Sequence, residues 1–218
     1  MRKFVLALAV VFLVAMSVNA FAENFAFGFS SFTPGNNLNV NGTAFYNIDS
    51  GWINSNGVHQ ANNTNYYSGF YDCGGTGVCK NYFVFDLTGL DAKKINTATF
   101  TVNTYSISVG GTYYIFGTNL SGPNVSSTNG FTSIPYYNRL TAGPIIGSIV
   151  LTPGMSNTNV TITLNHQGEQ WVKSGEGSTA VLGGEFIPVG AVPEPGTLML
   201  VGTGVVGLAG LLRRKFNH

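Results

Sequence analysis

The chain has 218 residues and a mass of 23.1 kDa, long enough for one domain with a substantial core. Charged residues make up only 9 % of it and the formal net charge is +1, whereas a typical soluble domain carries about 25 % charged residues. So few charges exclude a nucleic-acid binder, which needs a basic patch to neutralise phosphates, and argue against a cytosolic enzyme. The 16 Phe, 10 Tyr and 2 Trp supply too much apolar surface for a disordered chain.

The N-terminus reads Met1-Arg2-Lys3, then an apolar run from Phe4 to Met16, then Ala20-Phe21-Ala22. Two cations, a short apolar stretch and small residues at 20 and 22 are the three parts of a secretory signal peptide. Cleavage is expected after Ala22. An uncleaved anchor is the alternative, but the run is shorter than the roughly 20 residues that span a bilayer comfortably.

From Glu23 to about Ala191 the chain carries five basic and eight acidic groups, a formal charge of −3, so the exported body is mildly acidic. No sustained helical period occurs in it. Short alternating runs separated by Gly, Asn, Ser and Pro predict an all-β sandwich or barrel. In chain order the runs are Asn81 to Leu87, with Phe83, Phe85 and Leu87 on one face; Thr97 to Ser106, with Ala98, Phe100 and Val102 inward; Thr112 to Phe116; Ile145 to Leu151; Val160 to Leu164; and Ala180 to Phe186. One helical piece is expected around Gln167 to Lys173, with Trp171 filling the core.

Cys73 and Cys79 enclose Gly74-Gly75-Thr76-Gly77-Val78. An even cysteine count in an exported chain points to a disulfide. A metal site would need further ligands, and His59 and His166 are the histidines of the body; neither a metal nor a cofactor is expected. Trp52, Tyr66 and Tyr67 lie among Asn62, Asn63 and Asn65, with His59 nearby. Flat apolar rings beside amides suit stacking on sugar rings and bonding to hydroxyls. These four residues are the candidate carbohydrate-binding patch, against the plainer readings of core tyrosine and solvated loop histidine.

Catalytic patterns are missing. There is no G-x-S-x-G elbow, phosphate loop or dinucleotide fingerprint. The eight acids offer no recognisable carboxylate pair: Asp86 reads as an edge or turn-capping carboxylate and Asp91 as turn chemistry. His166 reads as a cap on the strand before it. A non-enzymatic protein is expected.

The C-terminus is Val192-Pro193-Glu194-Pro195-Gly196, an apolar stretch from Thr197 to Leu212 and Arg213-Arg214-Lys215. Two prolines around one Glu make an exposed extended segment, since proline cannot donate within a helix. The stretch after it predicts a helix about 24 Å long, with its basic end kept cytoplasmic. Arg2 and Lys3 require the same of the other end, which puts the body on the periplasmic side. A plain anchor with a proline-rich stalk is the alternative.

Pro193-Glu194-Pro195, the Gly-rich apolar helix and the terminal Arg213-Arg214 cluster resemble the PEP-CTERM sorting signal of Gram-negative bacteria. The resemblance covers the last 26 residues or so and implies an exosortase that removes the tail, in a bacterium that makes exopolysaccharide or a biofilm matrix. Gly51-Trp52, Gly57-Val58-His59, Asn65-Tyr66, Asn81 to Leu87 and Ile95 to Phe100 also resemble a recurrent body domain of uncharacterised PEP-CTERM proteins. That second likeness implies a jelly-roll-like fold without assigned activity; the Cys73–Cys79 loop departs from it.

The organisation expected is therefore a signal peptide over 1–22, an antiparallel, jelly-roll-like β-sandwich over 23–191 and a sorting signal with a transmembrane helix over 192–218. Exosortase is the expected partner, with the inner membrane holding the precursor through its C-terminal helix. The processed protein is expected at the cell surface or in an exopolysaccharide matrix. A carbohydrate-binding module is the alternative, and a glycan-acting enzyme the third reading.

Overall fold

The computed structural model describes residues 24–27, 36–59, 61, 63–70, 77–93, 95–128 and 133–189. The signal peptide with Ala20 and Ala22, Cys73, and the tail with Pro193, Glu194, Pro195, Arg213 and Arg214 lie outside the described residues. Among those described, no helix is long and apolar enough to cross a membrane.

The described residues are mostly β, as the alternation of the body predicts. The strands are β1 (Asn24–Ala26), β2 (Asn37–Val40), β3 (Thr43–Asn54), β4 (Ser68–Phe70), β5 (Val78–Asp86), β6 (Ala98–Asn103), β7 (Gly111–Gly117), β8 (Ile145–Leu151), β9 (Asn159–Thr163) and β10 (Thr179–Pro188). Every pairing between them is antiparallel, in the order β8-β7-β10-β5-β3-β2-β6-β9, with β4 on β5 and β1 on β4. Among the described residues, three short α-helices interrupt them: α1 (Gly122–Ser126), α2 (Ile134–Arg139) and α3 (His166–Ser174).

The long strand β3 holds the path together. Thr43 to Tyr46 pair with β2, and from Asn47 onward the strand pairs with β5. At the changeover Asn47 opposes Phe85 and Asp49 opposes Val84, so Ile48 is an extra residue, bulged and 56 % exposed. The two ends of the path, β8 and β9, are drawn together by Asn165, whose backbone N–H donates to the Ile146 carbonyl at 2.8 Å and whose side-chain amide donates to the Ile145 carbonyl at 2.9 Å. The result is a nearly closed antiparallel sheet. Asn165 also caps α3, its Oδ1 accepting the Gly168 N–H at 3.0 Å. Trp171 on α3 is buried, as expected, and its indole N–H donates to the Thr118 carbonyl at 3.0 Å.

The main core lies inside the sheet. Phe83 and Phe85 of β5 pack on Phe100 of β6, ring centroids 4.9 and 6.0 Å apart, with Leu38, Val102, Ile115 and Ile162 in the same cluster. Alternation predicts a single buried face for β5, but Tyr82 and Val84 on its other face are buried too. Leu120, Val125 and Leu140, brought in around α1 and α2, pack there against Tyr82, Val84 and Val181. Their Pro123 and Pro135 stand in the first turns, where proline is tolerated.

The outward face of β3, β2, β6 and β9 is built differently. Pairing places Tyr46, Asn37, Thr101 and Thr161 in one cross-strand row and Ala44, Asn39, Thr99 and Thr163 in the next. The intervening Leu38, Phe100 and Ile162 are buried. Thr101 and Thr161 share a hydroxyl bond at 2.9 Å, and the Asn103 amide donates to Asn159 Oδ1 at 3.0 Å.

Candidate functional site

The loop after β3 is closed by its own asparagine. Asn54 Oδ1 accepts the Asn56 and Val58 N–H groups at 3.0 and 2.8 Å, while the Asn54 N–H donates to the Val58 carbonyl at 3.0 Å. Gly57 takes φ +78° in this turn, where a side chain would also run into Ile134. The turn aims His59 inward. It is 1 % exposed and corrects the expectation of a solvated loop histidine.

The hydrogen bonds of His59 fix its tautomer. The Thr128 hydroxyl donates to the Val125 carbonyl at 2.8 Å, so Thr128 Oγ1 and its carbonyl both accept from His59 Nδ1–H, at 3.0 and 2.7 Å. His59 Nε2 is then left to accept the Tyr82 hydroxyl at 3.0 Å. Burial pushes the imidazole below its ordinary value, against the Thr128 carbonyl bond and the Asp49 charge, which pull it up. Burial pushes the Tyr82 phenol up, with Asp49 adding to the rise. The group is neutral at pH 7 and shut away from solvent.

The aromatic members of the expected sugar-binding patch are core as well. Trp52, Tyr66 and Tyr67 are 2 %, 0 % and 4 % exposed. Tyr66 packs on Phe83 at 5.1 Å and donates to the Asn103 carbonyl at 3.1 Å. Trp52 and Tyr67 meet edge to face at 6.4 Å, clustered with the fully buried Cys79. Thus Trp52, His59, Tyr66 and Tyr67 belong to three separate packing groups and present no common surface. Cys79 is not a free thiol; its expected partner, Cys73, lies outside the described residues.

Asp86 is exposed and Asp86 Oδ1 accepts the Thr88 N–H at 3.0 Å, a turn cap as expected. Bonds from Thr88 hold its carboxyl below the usual carboxylate range. Asp91 Oδ1 accepts the Lys93 N–H at 3.1 Å, the turn chemistry its setting predicts. His166 does not cap β9. It opens α3 with its side chain exposed, and Nδ1 stands 3.5 Å from Glu169 Oε2.

A second polar cluster was not anticipated from the sequence. Lys80 of β5, 8 % exposed, donates to Thr141 Oγ1 at 2.7 Å, lies 3.7 Å from Glu185 Oε1 and sits 4.3 Å over the Tyr137 ring. Burial lowers its pKa, and Glu185 opposes the shift. These contacts clamp the α2 segment onto β5 and β10. The one signal for it is a lysine in the middle of an apolar strand. Separately, a cleft of about 410 Å³ opens beside the β2–β3 turn, over Val40, Phe45 and Leu90, with Asp91 and Lys93 at its edge. Among the described residues no group of three or more His, Cys, Asp or Glu side chains could hold a metal ion.

None of these clusters combines a nucleophile, an accessible base and a cleft. A recognisable functional element lies past β10, which ends at Pro188. Residues 191–215 match the family model of the PEP-CTERM protein-sorting motif. The chain carries a PEP-CTERM sorting signal. That match takes in Pro193, Glu194, Pro195, Arg213 and Arg214, the residues on which the tail was recognised in the sequence. A PEP-CTERM motif implies exosortase-dependent sorting, with an exported, membrane-anchored precursor that is processed. None of the curated proteins compared with the chain matches it.

Proposed function

We propose that this PEP-CTERM protein is a non-catalytic component of the cell surface or extracellular matrix. Its signal peptide delivers the body to the periplasmic side, its C-terminal helix holds the precursor in the inner membrane, and exosortase acts at the Pro193-Glu194-Pro195 segment. The processed body then associates with exopolysaccharide or biofilm matrix. The match of residues 191–215 to the sorting motif carries this reading. The packing of Phe83 and Phe85 on Phe100 is consistent with a jelly-roll-like sandwich as the body, and a Cys73–Cys79 bond would pinch the loop before β5. A non-catalytic role is supported by the turn-capping positions of Asp86 and Asp91 and by the inaccessible His59.

Intact-mass measurement of the protein from cells with and without exosortase tests the proposal. The expected product begins at Glu23 and ends near Pro193-Glu194-Pro195 only where the enzyme is present. A product that keeps Arg213-Arg214-Lys215 in both strains would make the tail a simple anchor and remove the sorting role.

A further inference from the structure

We propose that the outward face of β3, β2, β6 and β9 binds a neutral, hydroxyl-rich polymer, a glycan chain without ionised groups. This surface is distinct from the sorting signal and from the buried aromatics of the loop after β3. It presents hydroxyls and amides in rows, one of them Tyr46, Asn37, Thr101 and Thr161, with Thr99 and Thr163 in the row beside it. On a pleated sheet such side chains recur about every 6.7 Å along each strand and about every 4.8 Å across strands.

Three observations favour this occupant. First, the face is uncharged: residues 37–46, 98–103 and 159–163 contain no Asp, Glu, Lys or Arg. The gap reaches further, since Arg139 is the single charged residue between 95 and 168 apart from the ionisable His166. An anionic polymer finds no cation here, whereas a neutral polyol loses nothing by the lack of charge. Second, the polar groups are already oriented. The Thr101–Thr161 hydroxyl bond at 2.9 Å and the Asn103–Asn159 amide bond at 3.0 Å fix side chains that a ligand would otherwise have to order. Third, the row ends in an aromatic ring, Tyr46, 61 % exposed. A ring flanked by hydroxyls and amides offers a sugar both an apolar face and hydrogen-bond partners.

A second copy of this chain is the competing occupant. Face-to-face stacking would bury hydroxyls and amides against one another in imperfect register, at a desolvation cost that a small apolar area does not offset. A polyol replaces the lost water bonds group by group.

The test is affinity electrophoresis of the full chain, purified in mild detergent, through native gels containing dextran, hydroxyethylcellulose, galactomannan or alginate. The wild type is expected to be retarded by at least one of the three neutral polymers, independently of added sodium chloride. Tyr46→Ala and Thr161→Lys each weaken that retardation about tenfold, with the thermal unfolding midpoint held as the control for folding. Retardation by none of the neutral polymers, or by alginate alone, overturns the proposal. Neutral-polymer binding that both variants leave intact places the site elsewhere and overturns it too. So does a concentration-dependent dimer that Thr161→Lys dissociates, which would assign the face to a second copy. None of these failures touches the sorting reading, because the uncleaved chain is the sample.

Discussion

The Tyr82 hydroxyl donates to His59 Nε2 across 3.0 Å in a site from which both residues exclude water, at 1 % exposure each. The bond joins the middle of β5 to the loop after β3, and through Thr128 it also ties in the end of α1.

Removing the hydroxyl should therefore destabilise the body more than the loss of one exposed hydrogen bond. Tyr82→Phe keeps the ring and leaves His59 Nε2 buried without a donor, a cost of about 1–3 kcal/mol. Urea unfolding of wild type and variant measures it, with the slope of the transition expected to be unchanged.

The same site sets a pH dependence. His59 has its folded pKa below the ordinary 6.5, so between that folded value and 6.5 the unfolded chain binds a proton that the native one does not. Stability is full above pH 6.5 and falls as the pH drops towards the folded pKa, below which both states are protonated. Thermal unfolding midpoints measured across this window should decline in the wild type, and this part of the decline should vanish in His59→Gln.

Trp52→Ala separates packing from recognition. The indole is buried with Tyr67 and Cys79, so its loss should cost about 3–5 kcal/mol. Chemical denaturation reads this directly. A variant as stable as the wild type would return Trp52 to the surface.

Two glycines on the chain should respond in opposite ways. A Cβ at Gly183 in β10 runs into the Leu140 carbonyl oxygen, backbone that cannot swing aside, whereas a Cβ at Gly89 meets nothing within 4 Å. Gly183→Ala should lower stability by roughly 1–3 kcal/mol, and Gly89→Ala should stay within about 0.5 kcal/mol. Comparison of the two denaturation midpoints tests how closely the segment after α2 lies on β10.

The strands from β5 onward were legible because alternation survives wherever one face is buried, as Ala98, Phe100 and Val102 illustrate. The long strand β3 was not, since Asn47, Asp49, Ser50 and Gly51 read as turn residues. Its conformation is imposed by two partners, β2 and β5, that no local pattern announces. Trp52, Tyr66 and Tyr67 misled for a related reason. Asparagines beside aromatics look like a wet loop, yet Asn63 Oδ1 accepts the Asn65 N–H at 3.1 Å in a turn, and two other asparagines serve the backbone and the core. Asn54 closes a turn, while Asn81 donates to the Tyr66 carbonyl at 3.1 Å and accepts the Tyr113 hydroxyl at 2.8 Å. The second buried face of β5 was hidden because Pro123 and Pro135 look like breaks rather than helix starts. The tail was legible by itself, because a sorting signal is read as linear sequence.

β10, the last of the described strands to be made, is held between β5 and β7 near the middle of the path. Until residues 179–188 emerge, β5 and β7 have no strand between them, and β7 and β8 meet the rest of the sheet through the Asn165 bonds at the far end of the path. During export the body must therefore wait, incomplete, for its final segment, which arrives just ahead of the sorting signal at residue 191. Connectivity makes maturation of the fold and arrival of the tail at the membrane nearly simultaneous. Whatever shields exported chains from aggregation has to stay with this one until translocation is almost finished.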